Sequence, residues 1–575
     1  MKYLFVVTEL SALRLAFAAV LGRDIKILEI EPFIPFTRPL LHLFVEVIVR
    51  TGRATRAIDT LPTLGRLKKI PRRSLLYNVL GQTESWQNNY FKGINNEGEL
   101  AQYYMANKQA ISNYMERKHV ALVILKEISK NPTQGNYHCI GFPADTFSAG
   151  EYFCGQKLTG SPARIPCRLV NLVQCIAAIS MSLWWIFSHL RFSNTQTKSV
   201  YFAADFIGDE RDIWLYKELE EGGEMLMVAR LPHLTTAIAE ELRGYTFCTR
   251  SDGCVALNNL FSLVNMVITD ELRVFWQLNR VYPPLFRRFL ALPYHRLLYR
   301  GLFLRFKPNV YWGRDQYSED HIIRRQELNR IGSQSWGVNT GTLNWTIMLP
   351  SDHHVSYDRY YVFGRSKYKK YYGHTWANDM EVIPAGSFSA SREQYARRFE
   401  DRPNDIAIFT GVFIGEPEFV AFIRGLAQAF PDRKVIIQVK PQFQNYDCTS
   451  HFISECRDGL ENIEHTSDPV YEVFFKAKYG FSDPSSVVVE AMQFGMISFA
   501  FDLPKIQLAT VDREYPGLVV NSTNDAVKRI KEIEIGDWHY PIKQFQDVVD
   551  MSGTVFFDRI RLDMGLPAKE NSIPL

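Results

Sequence analysis

Short apolar runs alternate along the chain with stretches of helical spacing, the pattern of strands covered on both faces and the helices between them. Lys2–Val7 is the first such run. Glu9–Gly22 then sets Leu10, Leu13, Ala16, Phe17 and Val20 on one side of a predicted helix that Gly22 ends, and Asp24–Ile30 is a second run. This β-α-β opening predicts a doubly wound sheet. It lacks GxGxxG, so nothing in it points to dinucleotide binding. Glu9 and Arg14 interrupt the opening apolar stretch too early for a signal peptide, and the start reads as folded protein.

Between Pro32 and about Arg73 the pattern is lost among prolines and arginines. Helices are predicted from roughly Leu100 to Ile128, and a strand near Tyr137–Phe142. Leu169–Leu190 carries no charged side chain, is bracketed by Arg168 and Arg191, and is long enough to cross a bilayer, to lie in its plane, or to form a buried helix. The strand-helix pattern resumes at Ser199–Phe206, Arg211–Leu219 and Glu224–Ala229, and Asn258–Leu278 reads as a long helix. From Leu272 to Arg314 no acidic residue occurs, and arginines alternate with Phe, Leu, Tyr and Trp. Such a segment suits an anionic membrane surface or a helix with a solvated basic face. Asn309–Trp312, Asp320–Arg330, Ser333–Val338 and Arg359–Phe363 continue the alternation, and a boundary falls near Ser387–Asp405. Beyond it the order is regular: strands at Asp405–Thr410, Lys434–Val439, Ile463–Thr466, Tyr479–Phe481, Ile497–Phe501 and Gly517–Asn521, with helices at Glu416–Phe430, Val470–Ala477, Ser485–Phe494 and Asn524–Glu534. Alternation at these lengths predicts a parallel sheet.

The fold class expected is therefore α/β, with two Rossmann-like lobes and a helical, partly membrane-associated insertion in the first. The first lobe runs over 1–386, with insertions at about 32–135 and 160–192 (helical) and 272–307 (basic and amphipathic). The second runs over 387–540, and 541–575 is a segment that crosses back or forms a tail. Composition changes this picture little. Of 575 residues, 46% are apolar and 22% charged, which is globular, and a net charge of +4 is too small for a dedicated nucleic-acid binder. The eight cysteines form no CxxC pair and complete no zinc site, so reduced thiols are expected.

The densest chemistry lies at Phe481-Ser482-Asp483-Pro484-Ser485-Ser486, followed by Val487–Gly495. A strand ends, a turn follows, and two serines open a helix whose free N–H groups and dipole suit a phosphate. Glu490, one turn further, is placed to reach a ribose hydroxyl, and Gly495 closes the helix. N-capping alone accounts for one serine, not for the whole unit. Lys440, at a strand end, brings positive charge, and Thr410-Gly411 stands at another strand end; both join Ser485, Ser486 and Glu490 as donor-binding candidates.

Ser485-Ser486 with Glu490-Ala491 and Gly495, late in a second α/β lobe, resembles the donor-nucleotide motif of GT-B glycosyltransferases, especially bacterial surface-polysaccharide enzymes such as the Kdo, sialic-acid and glycerol-phosphate transferases that use cytidine nucleotides. Asp358–Gly364, Ile383-Pro384-Ala385-Gly386 and Val439-Lys440-Pro441 are similar to further segments of that family, and the resemblance covers about residues 308–525. The chain departs from it at Thr340-Gly341, where relatives often carry His-Gly, and at Gln442-Phe443, where several carry His-Pro after Lys-Pro. A histidine carried over from the family is therefore absent. Candidate bases lie after the strand ending at Trp312: Asp315, Glu319 and His321, with Asp320 also of suitable type. Ser318, Glu319 and Asp320 equally suit simple capping of the next helix. Asp205 and Asp209 follow another strand. Arg314, Asn339, Thr340 and Gly341 are the expected acceptor and cleft residues, and Arg314 and Lys440 would neutralise phosphate in a metal-independent transfer. No metal site and no cofactor beyond a nucleotide-sugar co-substrate is expected.

The resemblance implies a bacterial glycosyltransferase for cell-surface polysaccharide or capsule. It would move a sugar or polyol-phosphate from a CMP- or CDP-linked donor to a glycan or lipid-linked acceptor, with no nucleic-acid partner. The enzyme would be cytoplasmic, peripheral or monotopic at the inner face of the plasma membrane. Two other readings fit the same pattern: a nucleotide-sugar 2-epimerase of the same fold, and a non-catalytic membrane-bound assembly protein.

Overall fold

The computed structural model describes residues 2–33, 35–60, 86, 103–130, 137–192, 197–207, 210–230, 244–339, 353–364, 373–398, 400–503, 515–540 and 548–569, apart from 374, 412, 446 and 516 and 553. Three parallel sheets organise it. The first joins β1 (Lys2–Val7), β2 (Asp24–Ile30), β3 (Thr55–Arg56), β4 (Tyr137–Ile140) and β5 (Thr159–Gly160). A short pair, β6 (Leu190–Arg191) and β10 (Val255–Ala256), stands apart. The second sheet holds β7 (Lys198–Phe206), β8 (Met225–Ala229), β9 (Thr246–Thr249), β11 (Phe306–Gly313), β12 (Gln334–Val338), β13 (Arg359–Val362) and β14 (Glu381–Pro384). The third holds β15 (Ile406–Thr410), β16 (Val435–Val439), β17 (Ile463–Thr466), β18 (Tyr479–Ser482), β19 (Ile497–Phe501) and β20 (Val519–Val520).

Counted by sequence within each sheet, the spatial orders are 3-2-1-4-5, 3-2-1-4-5-6-7 and 3-2-1-4-5-6. Each sheet thus reverses direction between its first and fourth strands, which leaves a crevice beyond their carboxyl ends. The stretch expected as one lobe over 1–386 carries two of these sheets. The pairing, β1 with β4 and β7 with β11, separates the two units.

The helices, in chain order, are α1 (Glu9–Val20), α2 (Arg38–Arg50), α3 (Tyr104–Lys130), α4 (Ala144–Cys154), α5 (Cys167–Ser188), α6 (Glu210–Leu219), α7 (Leu260–Leu278), α8 (Pro283–Arg305), α9 (Asp320–Arg330), α10 (Arg392–Ala396), α11 (Pro417–Ala429), α12 (Asp447–Arg457), α13 (Val470–Val473), α14 (Val487–Gln493), α15 (Thr523–Glu534) and α16 (Phe556–Asp563). Thr8 and Ser11 form a reciprocal cap at the start of α1, and Pro417 occupies the first turn of α11.

Along the acid-free stretch 272–314, Arg273, Arg280, Arg287, Arg305 and Lys307 are exposed, whereas its other arginines are paired within the fold. Most of α8 is buried. Arg296 and Arg300 both donate to Glu327 on α9, Arg296 also to Asp270 on α7, and Arg288 lies 3.6 Å from Glu319. The acids this segment lacks come from neighbouring helices, and its aromatic residues, among them Phe286, Phe289 and Phe303, fill the core. α5 is, among the described residues, the helix long and apolar enough to cross a bilayer, and 28% of its most apolar stretch is buried. The C-terminal helix α16 packs on the second unit: Arg561 donates to the Glu218 carbonyl and pairs with Glu221, Tyr201 donates to the Met564 carbonyl, and Arg392 bridges Glu218 and Asp558.

Candidate functional site

At the crevice of the third sheet, segments distant in sequence converge. Asp483, just past β18, is fully buried, and its Oδ2 accepts from Gly411 N at 2.8 Å, Phe413 N at 3.1 Å and Thr410 Oγ1 at 3.3 Å. That carboxylate folds the loop after β15 over the sheet edge. Lys440, past β16, donates its amide to the Thr410 carbonyl at 3.0 Å. Its stem runs so close over Gly411 that a Cβ there would sit 2.8 Å from Lys440 Cδ. Thr410, Gly411, Lys440 and Ser485-Ser486 therefore share the carboxyl edge of β15, β16 and β18, at the point where the strand order reverses.

The serines are not equivalent. Ser485 is 2% exposed, whereas Ser486 is half-buried. The helix expected from Ser485 to Phe494 is seven residues long, Val487–Gln493, and Ser486 caps it through its backbone, without a side-chain cap. Glu490 accepts a hydrogen bond from Tyr471, whose hydroxyl lies 2.5 Å from Ser387 Oγ. Ser387 N in turn donates to Gln493 Oε1 at 2.8 Å. Glu490 and Gln493 thus face the segment that carries the chain from the second unit into the third. Gly386 in that segment has φ +72°, and a Cβ on it would lie 1.8 Å from Gln493 Nε2. Only glycine fits a left-handed residue in that contact.

The second crevice is a cleft of about 420 Å³ at the carboxyl ends of β7, β8, β9 and β11; Asp205, Arg230, Arg250, Asp315, Tyr317 and Asp320 are among its walls. Its carboxylates are committed. Arg324, wholly buried, holds Asp315 with two bonds of 2.9 and 2.7 Å and Asp205 at 3.0 Å. Arg230 donates to Asp205 at 2.8 Å, and Tyr311 and Tyr357 donate to Asp205 and Asp315. Burial alone would raise the Asp315 pKa, but Arg324 and Arg230 outweigh it and hold the carboxyl well below the usual range. Asp320 is likewise held low, against burial, by His295 at 2.6 Å and by Arg250. Groups so acidic accept protons poorly.

The other expected residues fall around this cleft. His321 is fully buried and stacked on Tyr357 at 5.0 Å. Its Nδ1 lies 2.5 Å from the Ser318 carbonyl, and burial pushes its pKa down to about 4. Glu319 turns away to accept from Asn113 at 2.8 Å. Arg314 donates to Asp212 at 2.9 Å and lies over the Phe388 ring of the inter-unit segment. Asn339 is buried at the end of β12 and donates its amide to the Tyr361 carbonyl. Thr340, Gly341 and Asp209 lie outside the described residues. The sequence reading passed over Arg230 and Arg250. The available signal was position: Arg230 stands immediately after the strand end at Ala229, and Arg250 after Thr249. Among the described residues no group of three or more His, Cys, Asp and Glu side chains forms a metal-binding cluster.

No family model matches the chain, and no curated protein does. Among solved structures it is similar to the wall teichoic acid polymerase TagF soaked with CDPG, at 11% identity and a TM-score of 0.37, covering 70% of this chain and 99% of that one. It is similar to the UDP-GlcNAc 2-epimerase of Neisseria meningitidis bound to UDP-GlcNAc, at 11% identity and TM-score 0.37, covering 64% and 99%. A UDP-glucosyltransferase from Polygonum tinctorium matches at 9% identity and TM-score 0.37, covering 65% and 99%. Likeness at these scores decides neither substrate nor activity; the strand pairings above define the architecture independently of it.

Proposed function

We propose that the chain is a GT-B type transferase that binds a nucleotide-activated sugar or polyol-phosphate at the third sheet. One observation carries the reading: Thr410-Gly411, Lys440 and Ser485-Ser486, taken from three separate strand ends, meet at the reversal point of a 3-2-1-4-5-6 sheet, where open α/β sheets receive ligands. In this reading the donor phosphates contact Ser486 and the Lys440 ammonium, Asp483 holds the Gly411 amide in the turn beside them, and buried Ser485 supports the turn from beneath. The cleft at the second sheet takes the acceptor, with the solvent-facing edges of Arg230 and Arg250 available to anionic groups on it. Donor charge is met by fixed cations and amides rather than by a proton relay.

A thermal-shift screen with CMP, CDP, UDP and GDP tests this. A nucleotide that binds should raise stability by about 2.7 kcal/mol at a hundredfold excess over its Kd. Lys440→Ala with Ser486→Ala should abolish that shift; Ser485→Ala should instead lower the ligand-free transition. The commitment of Asp205, Asp315 and Asp320 to arginines favours a second reading, in which nucleotide is bound without group transfer. Turnover of an activated sugar by the pure protein would exclude it.

A further inference from the structure

The N-terminal unit and the helices beside it present apolar side chains to solvent on four helices. On α1 Phe17 is 67% exposed, on α2 Leu43 63%, on α5 Trp184 68%, and on α7 Phe261 85% and Trp276 74%. A monomer rarely leaves so much large apolar surface uncovered without a use for it. The four helices are tied together at one place. Glu9 at the start of α1 accepts from Phe33 N at 2.9 Å and from Thr37, the residue before α2, at 2.6 Å. Phe33 packs edge-on against Tyr282, and Asn171 of α5 donates to the carbonyls of Asn279 and Val281 beyond the end of α7.

Charge on these helices is one-sided. Every exposed charged position on them is an arginine: Arg14, Arg38, Arg50, Arg168 and Arg273. Their acidic residues are turned inward or paired. Glu9 holds Phe33 and Thr37, Glu46 pairs with Arg56, Asp270 with Arg296, and Glu271 is fully buried. A second copy of the chain would bring these arginines against each other, so self-association is opposed by the same charges that favour an anionic surface.

We propose that α1, α2, α5 and α7 form a face that docks in the plane of an anionic lipid bilayer, with aromatic and aliphatic side chains entering the interface and arginines at the headgroups. α5 lies along the surface rather than through it. One stripe of it, Asn171, Cys175, Ser182, Trp185 and Ile186, is buried, and Asn171 and Cys175 bond backbone carbonyls at the end of α7 and within it. Withdrawing the helix to span the membrane would strand those groups and uncover Gly301, against which Trp185 packs so closely that a Cβ there would lie 2.3 Å from the indole. This docking stands whether or not the protein transfers a sugar.

The test is flotation of the full chain with phosphatidylcholine vesicles, with and without phosphatidylglycerol. The protein should float with the anionic vesicles, be released by alkaline carbonate, and not float with the neutral ones. Arg14→Gln with Arg273→Gln should weaken binding roughly 30-fold, at about a fivefold loss per arginine. Trp184→Ser with Trp276→Ser should also weaken it while the thermal transition is retained; if that pair fails to fold, the arginine pair decides. Absence of flotation with anionic vesicles, full binding by the arginine pair, resistance to carbonate, or a wild-type dimer in lipid-free sedimentation that the tryptophan pair abolishes would each overturn the proposal.

Discussion

Arg324 is the residue on which the second crevice depends. It is enclosed between Asp205 and Asp315, and against burial it acts with Arg230 to hold the Asp315 carboxyl well below the usual range. Arg324→Met removes one charge and leaves Asp205 and Asp315 to share Arg230 alone, so destabilisation of about 3–5 kcal/mol is expected in equilibrium denaturation. Gly386→Ala places a Cβ in the left-handed region against Gln493 and should cost roughly 2 kcal/mol or more by the same measurement. His321 makes a pH prediction. Its folded pKa, about 4, lies below the ordinary 6.5, so the neutral ring is the form the fold prefers. Its contribution is present above about pH 6.5 and is lost as pH falls towards 4, at up to about 1.4 kcal/mol per unit. Buried Glu31 and Glu271, raised by burial to about 7 and about 9, act in the opposite sense. Each loses stability as pH rises from its ordinary 4.5 towards the raised value. The quantity to measure is therefore the difference between wild type and His321→Phe. Stability of the variant should gain on wild type as pH is lowered from 6.5 to 4; an unchanged difference across that window would show that the imidazole stays neutral in neither state preferentially.

Among elements, the strands of the third sheet were legible almost to the residue: Asp405–Thr410 was expected and Ile406–Thr410 is found, and Ile497–Phe501 coincides. Parallel strands buried on both faces are continuous apolar runs, and glycines or polar turns bound them. The sheet to which a strand belongs is not written in its own residues, which is why β1 and β7 looked like parts of one lobe. The character of α8 was hidden for a related reason. Its Arg296 and Arg300 are neutralised by Glu327 and Asp270, which lie on other helices. At the candidate site, residue type and strand-end position brought out Thr410, Gly411, Lys440 and Ser486. Burial of Ser485 and His321 arises from packing by neighbours, which spacing along one chain does not encode. Glu490, expected at a ribose, accepts from Tyr471, whose hydroxyl in turn pairs with Ser387 between units. Tyr471→Phe removes that link and should lower stability by about 1 kcal/mol.

At the scale of the whole molecule, three parallel sheets share one plan, and the candidate residues gather at two of their crevices. The segment from Gly386 to Ser389 connects those two units and is gripped from both: Arg211 donates to Ser389, Arg314 lies over Phe388, and Gln493 and Tyr471 bond Ser387. In the proposed reading a nucleotide sits on the carboxyl edge of the third sheet. Hydrogen exchange of the full chain, with and without a saturating concentration of the best nucleotide from the screen, locates that ligand directly. Slowed exchange at the amides of Ser486 and Val487 is the predicted result. Unchanged exchange there, with protection confined to another part of the molecule, would contradict the account.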